Sequence, residues 1–304
     1  MRCSNQARSI FSRGGREHGI PRAIDFTSTS DSRLHGDVHG EGARTALLLH
    51  GGGQTRHAWR ATARKLAERG FTAIPVDQRG HGDSDWVRDG AYSFADYGAD
   101  AASLGRDIAQ RFGAKPVAIG ASLGGIAALY AQGQEDAFSA LILVDVTPRM
   151  DPRGVAHIQG FMRQRAAEGF ATIEEAADAV AAYLPHRTRP PSVEGLRKNL
   201  RLQADGRWYW HWDPRFLDGP KTINFDWENV SHVLEEATRS LTIPTLLVRG
   251  GSSELVSMDH AQAFLDLCPH AKFVDVSGAG HMVAGDKNDI FASAILDFLG
   301  TAQR

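Results

Sequence analysis

The sequence predicts an α/β fold: a mostly parallel eight-stranded sheet flanked by helices, with a helical cap inserted after the sixth strand. Three observations predict it. Short apolar runs alternate with helix-like stretches between residues 23 and 146 and again from 243 to 304, a rhythm that suits strands covered on both faces. One of these runs leads straight into Gly120-Ala121-Ser122-Leu123-Gly124, with a helical stretch behind it. Between the two alternating stretches, residues 147–242 carry helical segments and an aromatic cluster but no strand signal.

The elements follow in order. Residues 23–27 and 33–38 read as a hairpin of polar-edged strands turned at Thr29-Ser30-Asp31. Residues 46–50 form a buried-type strand, followed by a helix over 58–69 and a strand over 71–76. A long helix is expected over 94–112, a strand over 116–119, a helix over 123–132 and a strand over 140–144. After the insertion the pattern resumes with strands at 244–249 and 272–276 and a closing helix over 286–300. With no linker and no internal repeat, the core is assigned to 23–146 and 243–304 and the cap to 147–242.

Composition narrows the class. The chain has 304 residues, 42% of them hydrophobic and 23% charged, with a formal net charge of −2. That balance is ordinary for a soluble globular protein and gives no reason to expect nucleic acid or an anionic membrane as partner. No apolar run approaches the ~20 residues that a membrane helix needs. Residues 1–22 carry five arginines against the single acid Glu17 and lack the apolar core of a secretory signal. They read as a disordered extension or a misplaced start, with an organelle transit peptide as the alternative. The two cysteines, Cys3 and Cys268, give no disulfide framework, and a reducing, cytoplasmic setting is expected. Oligomeric state is not legible.

The chemistry starts at Ser122. A strand, a Gly-x-Ser-x-Gly turn and a helix together form a nucleophile elbow, in which glycines two residues either side of the serine remove clashes that the sharp turn would create. By itself the pattern arises by chance in about one chain in ten of this length, so its partners decide. A serine hydroxyl needs a base, and His281 lies in the glycine-rich stretch Gly278-Ala279-Gly280-His281 directly after the last strand. The base needs an acid. Glu254, after the penultimate strand, is preferred on chain order; Asp145, at the end of the strand before the cap, is the rival. An oxyanion hole requires two backbone N–H groups: Leu123 supplies one, and Gly52, or next Gly53, in His50-Gly51-Gly52-Gly53 supplies the other. Asp77-Gln78-Arg79-Gly80-His81-Gly82-Asp83-Ser84 reads as structural turn chemistry. No His/Cys/Asp cluster has metal-ligand spacing, so neither metal nor cofactor is expected.

These stretches, with Leu143-Val144-Asp145-Val146, make the chain from about 23 to 300 resemble the α/β-hydrolase superfamily, in its capped, non-haem haloperoxidase-like branch. The resemblance implies acyl transfer through a serine, because relatives that cleave halides or epoxides carry aspartate at the elbow. One departure stands out: where the family's acid loop has aspartate this chain has Ser253, with Glu254 one residue later. The expected activity is hydrolysis of a small or medium carboxylic ester or lactone through an acyl-enzyme. A diketone C–C hydrolase, a perhydrolase and a ligand-binding receptor of the same fold are the alternatives. For the substrate pocket the candidates are Trp59, Trp86, Trp210, His211 and Trp212, each with a packing role as the competing reading.

Overall fold

The computed structural model describes residues 20–183, 193–224, 226–281 and 288–301. Most of the expected N-terminal extension, residues 1–19, and the start of the expected closing helix at 286–287 lie outside them. In chain order the elements are β1 (Arg22–Thr27), β2 (Arg33–Val38), β3 (Arg44–Leu49), α1 (Arg60–Glu68), β4 (Phe71–Val76), α2 (Phe94–Phe112), β5 (Val117–Ala121), α3 (Leu123–Gln134) and β6 (Ala140–Val144). Then come α4 (Pro152–Arg163), α5 (Ile173–Tyr183), β7 (Leu200–Leu202), β8 (Trp208–Trp210), α6 (Arg215–Asp218) and α7 (Trp227–Ser240). The chain closes with β9 (Thr245–Gly250), α8 (Met258–Leu267), β10 (Lys272–Val276) and α9 (Ala292–Thr301).

Eight strands form one sheet in the order β1-β2-β4-β3-β5-β6-β9-β10. β1 and β2 are antiparallel and meet β4 antiparallel, and every later pairing is parallel. The central strands β3, β4, β5, β6 and β9 are buried almost throughout, as strands with helices on both faces must be. One apolar cluster fills the face under α2 and α3 and a second the face under α1 and α9. β6 and β9 are parallel neighbours despite the hundred-odd residues between them in the chain, so that segment leaves the sheet at the C-terminal end of β6 and re-enters it at the N-terminal end of β9. The segment is mainly helical, but it also carries the β7–β8 hairpin, which the sequence did not signal. α7 packs against α3, where a Cβ at Gly133 would stand only 2.4 Å from that of Ala237. Among the described residues no helix is long and apolar enough to cross a membrane.

Candidate functional site

Ser122 sits between β5 and α3 with φ 46° and ψ −116°, a backbone region that costs on the order of 1–3 kcal/mol and persists only where the surroundings impose it. They do so tightly. Ser122 N–H donates to Val144 O (3.0 Å) and Gly124 N–H to His50 O (3.1 Å), tying the turn to β6 and to the loop after β3. A Cβ at Gly120 would lie 2.4 Å from Gly124 O, and one at Gly124 2.4 Å from Leu49 O. Only glycine permits this approach, and it sets the serine at the N-terminus of α3.

His281 follows β10 and is buried. Its Nδ1 lies 2.7 Å from Oδ2 of Asp145, the residue directly after β6, in a left-handed conformation at φ 54°. The same carboxylate accepts Gly250 N–H (3.0 Å) and Ser253 Oγ–H (2.8 Å). Glu254, the acid preferred from chain order, faces elsewhere: its carboxylate is bonded to His157 Nδ1 (2.9 Å) and the Tyr183 hydroxyl (2.8 Å) at the surface. That preference is therefore corrected to Asp145. The physical reason is the loop after β9. Ser253 occupies the family's acid position and turns its hydroxyl onto Asp145, while its oxygen accepts Leu255 N–H and Val256 N–H, both at 3.1 Å. Sequence reasoning gave Ser253 no role; a serine standing where an acid was expected was the available signal.

The loop after β3 is held at every peptide. Gly51 N–H donates to Gln54 Oε1 (2.9 Å), and Gly51 O accepts from both His50 Nδ1 (2.8 Å) and Gln54 N–H (3.1 Å). Gly53 N–H donates to His81 Nε2 (3.1 Å), so Gly53, the second choice as oxyanion donor, is already committed. Gly52 N–H and Leu123 N–H have no acceptor among the described residues, and both residues border the same cavity as Ser122 and His281. Burial pushes the imidazoles behind this loop down, His50 to about 4 and His81 to about 3, so both are neutral in the working range. Around them, Asp77 accepts Arg56 N–H (2.6 Å), its guanidinium (2.5 Å) and Asp83 N–H (2.9 Å), the turn-building role expected of that stretch.

The cavity measures about 70 Å³. Among the described residues its side-chain walls are apolar apart from Ser122, His281 and Gln159, notably Val155, Ile158 and Met162 on α4, Phe216 on α6, and Ile126 and Leu255 from the sheet side. None of the five pocket candidates lines it. Trp59 is fully buried in the core under α1, and Trp86 is half exposed with its indole N–H on His211 O (3.3 Å). Trp210 and Trp212 stack on each other at 4.9 Å, and His211 is buried with both ring nitrogens bonded to backbone. The density of rings marked a packing centre. The pocket is apolar, lined mainly by aliphatic side chains with Phe94 and Phe216, which composition does not distinguish from any other core surface. Ser122 and His281 meet across this cavity without a hydrogen bond between them, and such bonds often tighten only with substrate bound.

The comparisons with known proteins agree with this architecture. A family model described as the alpha/beta hydrolase fold matches residues 47–287. The esterase Rv0045c of Mycobacterium tuberculosis is 32% identical over 259 residues, covering 82% of this chain and 80% of that protein. A 2-(acetamidomethylene)succinate hydrolase of Mesorhizobium japonicum is 29% identical over 290 residues, covering 93% and 96%. The crystal structure of an E-2-(acetamidomethylene)succinate hydrolase superposes with a TM-score of 0.75 at 24% identity, over 92% of this chain and all of that one. With its strand order, its serine elbow and a family match over most of its length, the chain belongs to the alpha/beta hydrolase family.

Proposed function

We propose that the protein is a serine carboxylic-ester hydrolase working through an acyl-enzyme on a small or medium ester or lactone with an apolar acyl group. Ser122 attacks the carbonyl carbon as His281 takes its proton. Asp145 fixes the Nδ1–H tautomer of His281 and stabilises the imidazolium. Leu123 N–H and Gly52 N–H receive the developing oxyanion, where preorganised donors are worth several kcal/mol. The alcohol leaves with the proton returned by His281, and water repeats the sequence to release the acid. Residues 147–242 act as the cap, supplying the α4 and α6 walls of the acyl pocket.

The observation that carries this reading is the convergence of one acid-bonded histidine, one strained serine and two unpaired N–H groups on a single cavity. The relative named an esterase supports ester chemistry. The relative whose name specifies a succinate is a poorer guide to substrate, because among the described residues no lysine or arginine lines this cavity to receive a carboxylate. Hydrolysis of p-nitrophenyl esters from acetate to laurate, by the wild type beside Ser122→Ala, tests the reading. Turnover that peaks at short chains and disappears in the variant is expected. Undiminished turnover in Ser122→Ala, or none in the wild type, overturns it.

A further inference from the structure

Three buried histidines take no part in the proton transfers above. His50, His81 and His211 form a row, with ring centroids 5.2 Å apart for the first pair and 5.7 Å for the second. Their partners dictate their tautomers. His50 Nε2 accepts Gln78 N–H (3.0 Å) and its Nδ1–H donates to Gly51 O. His81 Nδ1–H donates to Arg79 O (2.9 Å), leaving Nε2 to accept Gly53 N–H. His211 Nδ1 accepts Gly82 N–H (2.7 Å), so its Nε2–H donates to Gly53 O (3.2 Å). Three consecutive peptide planes are thereby held, each by a different imidazole: Gly51–Gly52 by His50, Gly52–Gly53 by His81 and Gly53–Gln54 by His211. The one N–H in this run with no partner among the described residues is that of Gly52, and it belongs to the first of these planes.

We propose that His81 and His211 are positioning residues of the oxyanion hole, with His211 making the hole's geometry depend on the docking of the inserted segment. The inference rests on the ester-hydrolase reading for its kinetic consequence but not for its structural one. His211 directly follows β8, and its neighbours are anchored to the same place. Asp213 N–H donates to Gly80 O (2.9 Å) and the Asp213 carboxylate accepts the Tyr92 hydroxyl (2.6 Å), while the Trp212 ring stands beside Gly53. Gly53 has φ 74°, a conformation that its own sequence does not enforce, so clamps at its N–H and its C=O fix the two peptides that flank it, the first of which adjoins the Gly51–Gly52 peptide that carries the Gly52 N–H. Phe216 seals the arrangement, edge-on to His81 at 5.0 Å and against Gly52. Neither His81 nor His211 borders the cavity, so neither touches substrate.

The test pairs shape-keeping with function-keeping variants: His211→Phe and His81→Leu remove the bond to Gly53, whereas His211→Gln and His81→Gln can restore it. Two readouts are taken on each folded variant, ester kinetics and amide hydrogen exchange of the segment 49–56. The bond-removing variants are expected to lose 10- to 100-fold in kcat with KM within about twofold. They should also exchange the 49–56 amides faster, and the glutamine variants should recover most of both properties. Wild-type exchange in His211→Phe and His81→Leu overturns the proposal, as does a loss that falls on KM and is not rescued by glutamine. If the wild type hydrolyses no ester, the ester-hydrolase reading fails, while the exchange measurement still decides whether the histidines hold the loop.

Discussion

At the scale of single residues the decisive contact is Asp145 with His281 at 2.7 Å. An acid after β6 and an acid after β9 can both reach a histidine after β10, because β6, β9 and β10 are successive neighbours in the sheet. Chain order favoured Glu254. What it could not reveal is the direction of a side chain in a tight loop, and here Ser253, not Glu254, points inward. Asp145→Asn is therefore expected to cut kcat by about 10⁴-fold, since the wrong imidazole tautomer would face Ser122. Glu254→Gln should stay within about threefold on the same p-nitrophenyl ester, and a collapse of turnover in Glu254→Gln would restore it as the acid. Ser253→Ala removes one of the donors to the Asp145 carboxylate and frees two N–H groups at the loop. A fall of about tenfold in kcat, with a lower melting temperature, is expected; unchanged values would mean that Gly250 N–H alone holds the acid.

At the scale of elements, the long pieces were legible and the short ones were not. α2 falls on 94–112 as expected, because its Ser93 cap, its left-handed Gly113 terminus and nineteen residues of helical periodicity all agree. The two strands of β7–β8 have three residues each, too few to show a period, and the five consecutive ring-bearing residues Trp208 to Trp212 obscured them. That Ser122, His281, Leu123 and Gly52 would meet at one place was legible because motif spacing constrains backbone; the lining of the cavity they border was not, because a cavity is a property of two elements meeting. α4 forms much of that wall with Val155, Ile158 and Met162. Filling about 70 Å³ from this helix should shorten the preferred acyl chain. Val155→Trp is expected to retain acetate hydrolysis within a few fold while losing most activity on hexanoate, measured as the ratio of kcat/KM for the two esters. An unchanged ratio would move the acyl group to another part of the cavity.

At the scale of the whole molecule, the sheet gathers at one edge what the chain scatters over more than two hundred residues, and it does so around groups that must stay uncharged. Burial depresses His50 to about 4 and His81 to about 3, and holds His211 well below its ordinary value. Burial also lowers His39 and His57. In the unfolded chain each of these titrates near 6.5. Below that pH the unfolded state takes up protons that the native state refuses, so stability is whole above about 6.5 and declines as pH falls toward the native values. Each such histidine contributes up to about 1.4 kcal/mol per pH unit in that window, against a total stability of only ~5–15 kcal/mol. Most carboxylates still hold their charge above pH 4.5, which leaves the interval from 6 to 4.5 to the histidines. Urea midpoints measured across that interval should drop steeply for the wild type. His81→Gln, less stable at pH 7 but with one fewer proton to exclude, should show a slope shallower by about 1.4 kcal/mol per pH unit. A slope identical to the wild type would mean that His81 is already protonated in the native protein. Its Nε2 would then carry a proton facing Gly53 N–H, and the clamp on the loop after β3 would be lost with it.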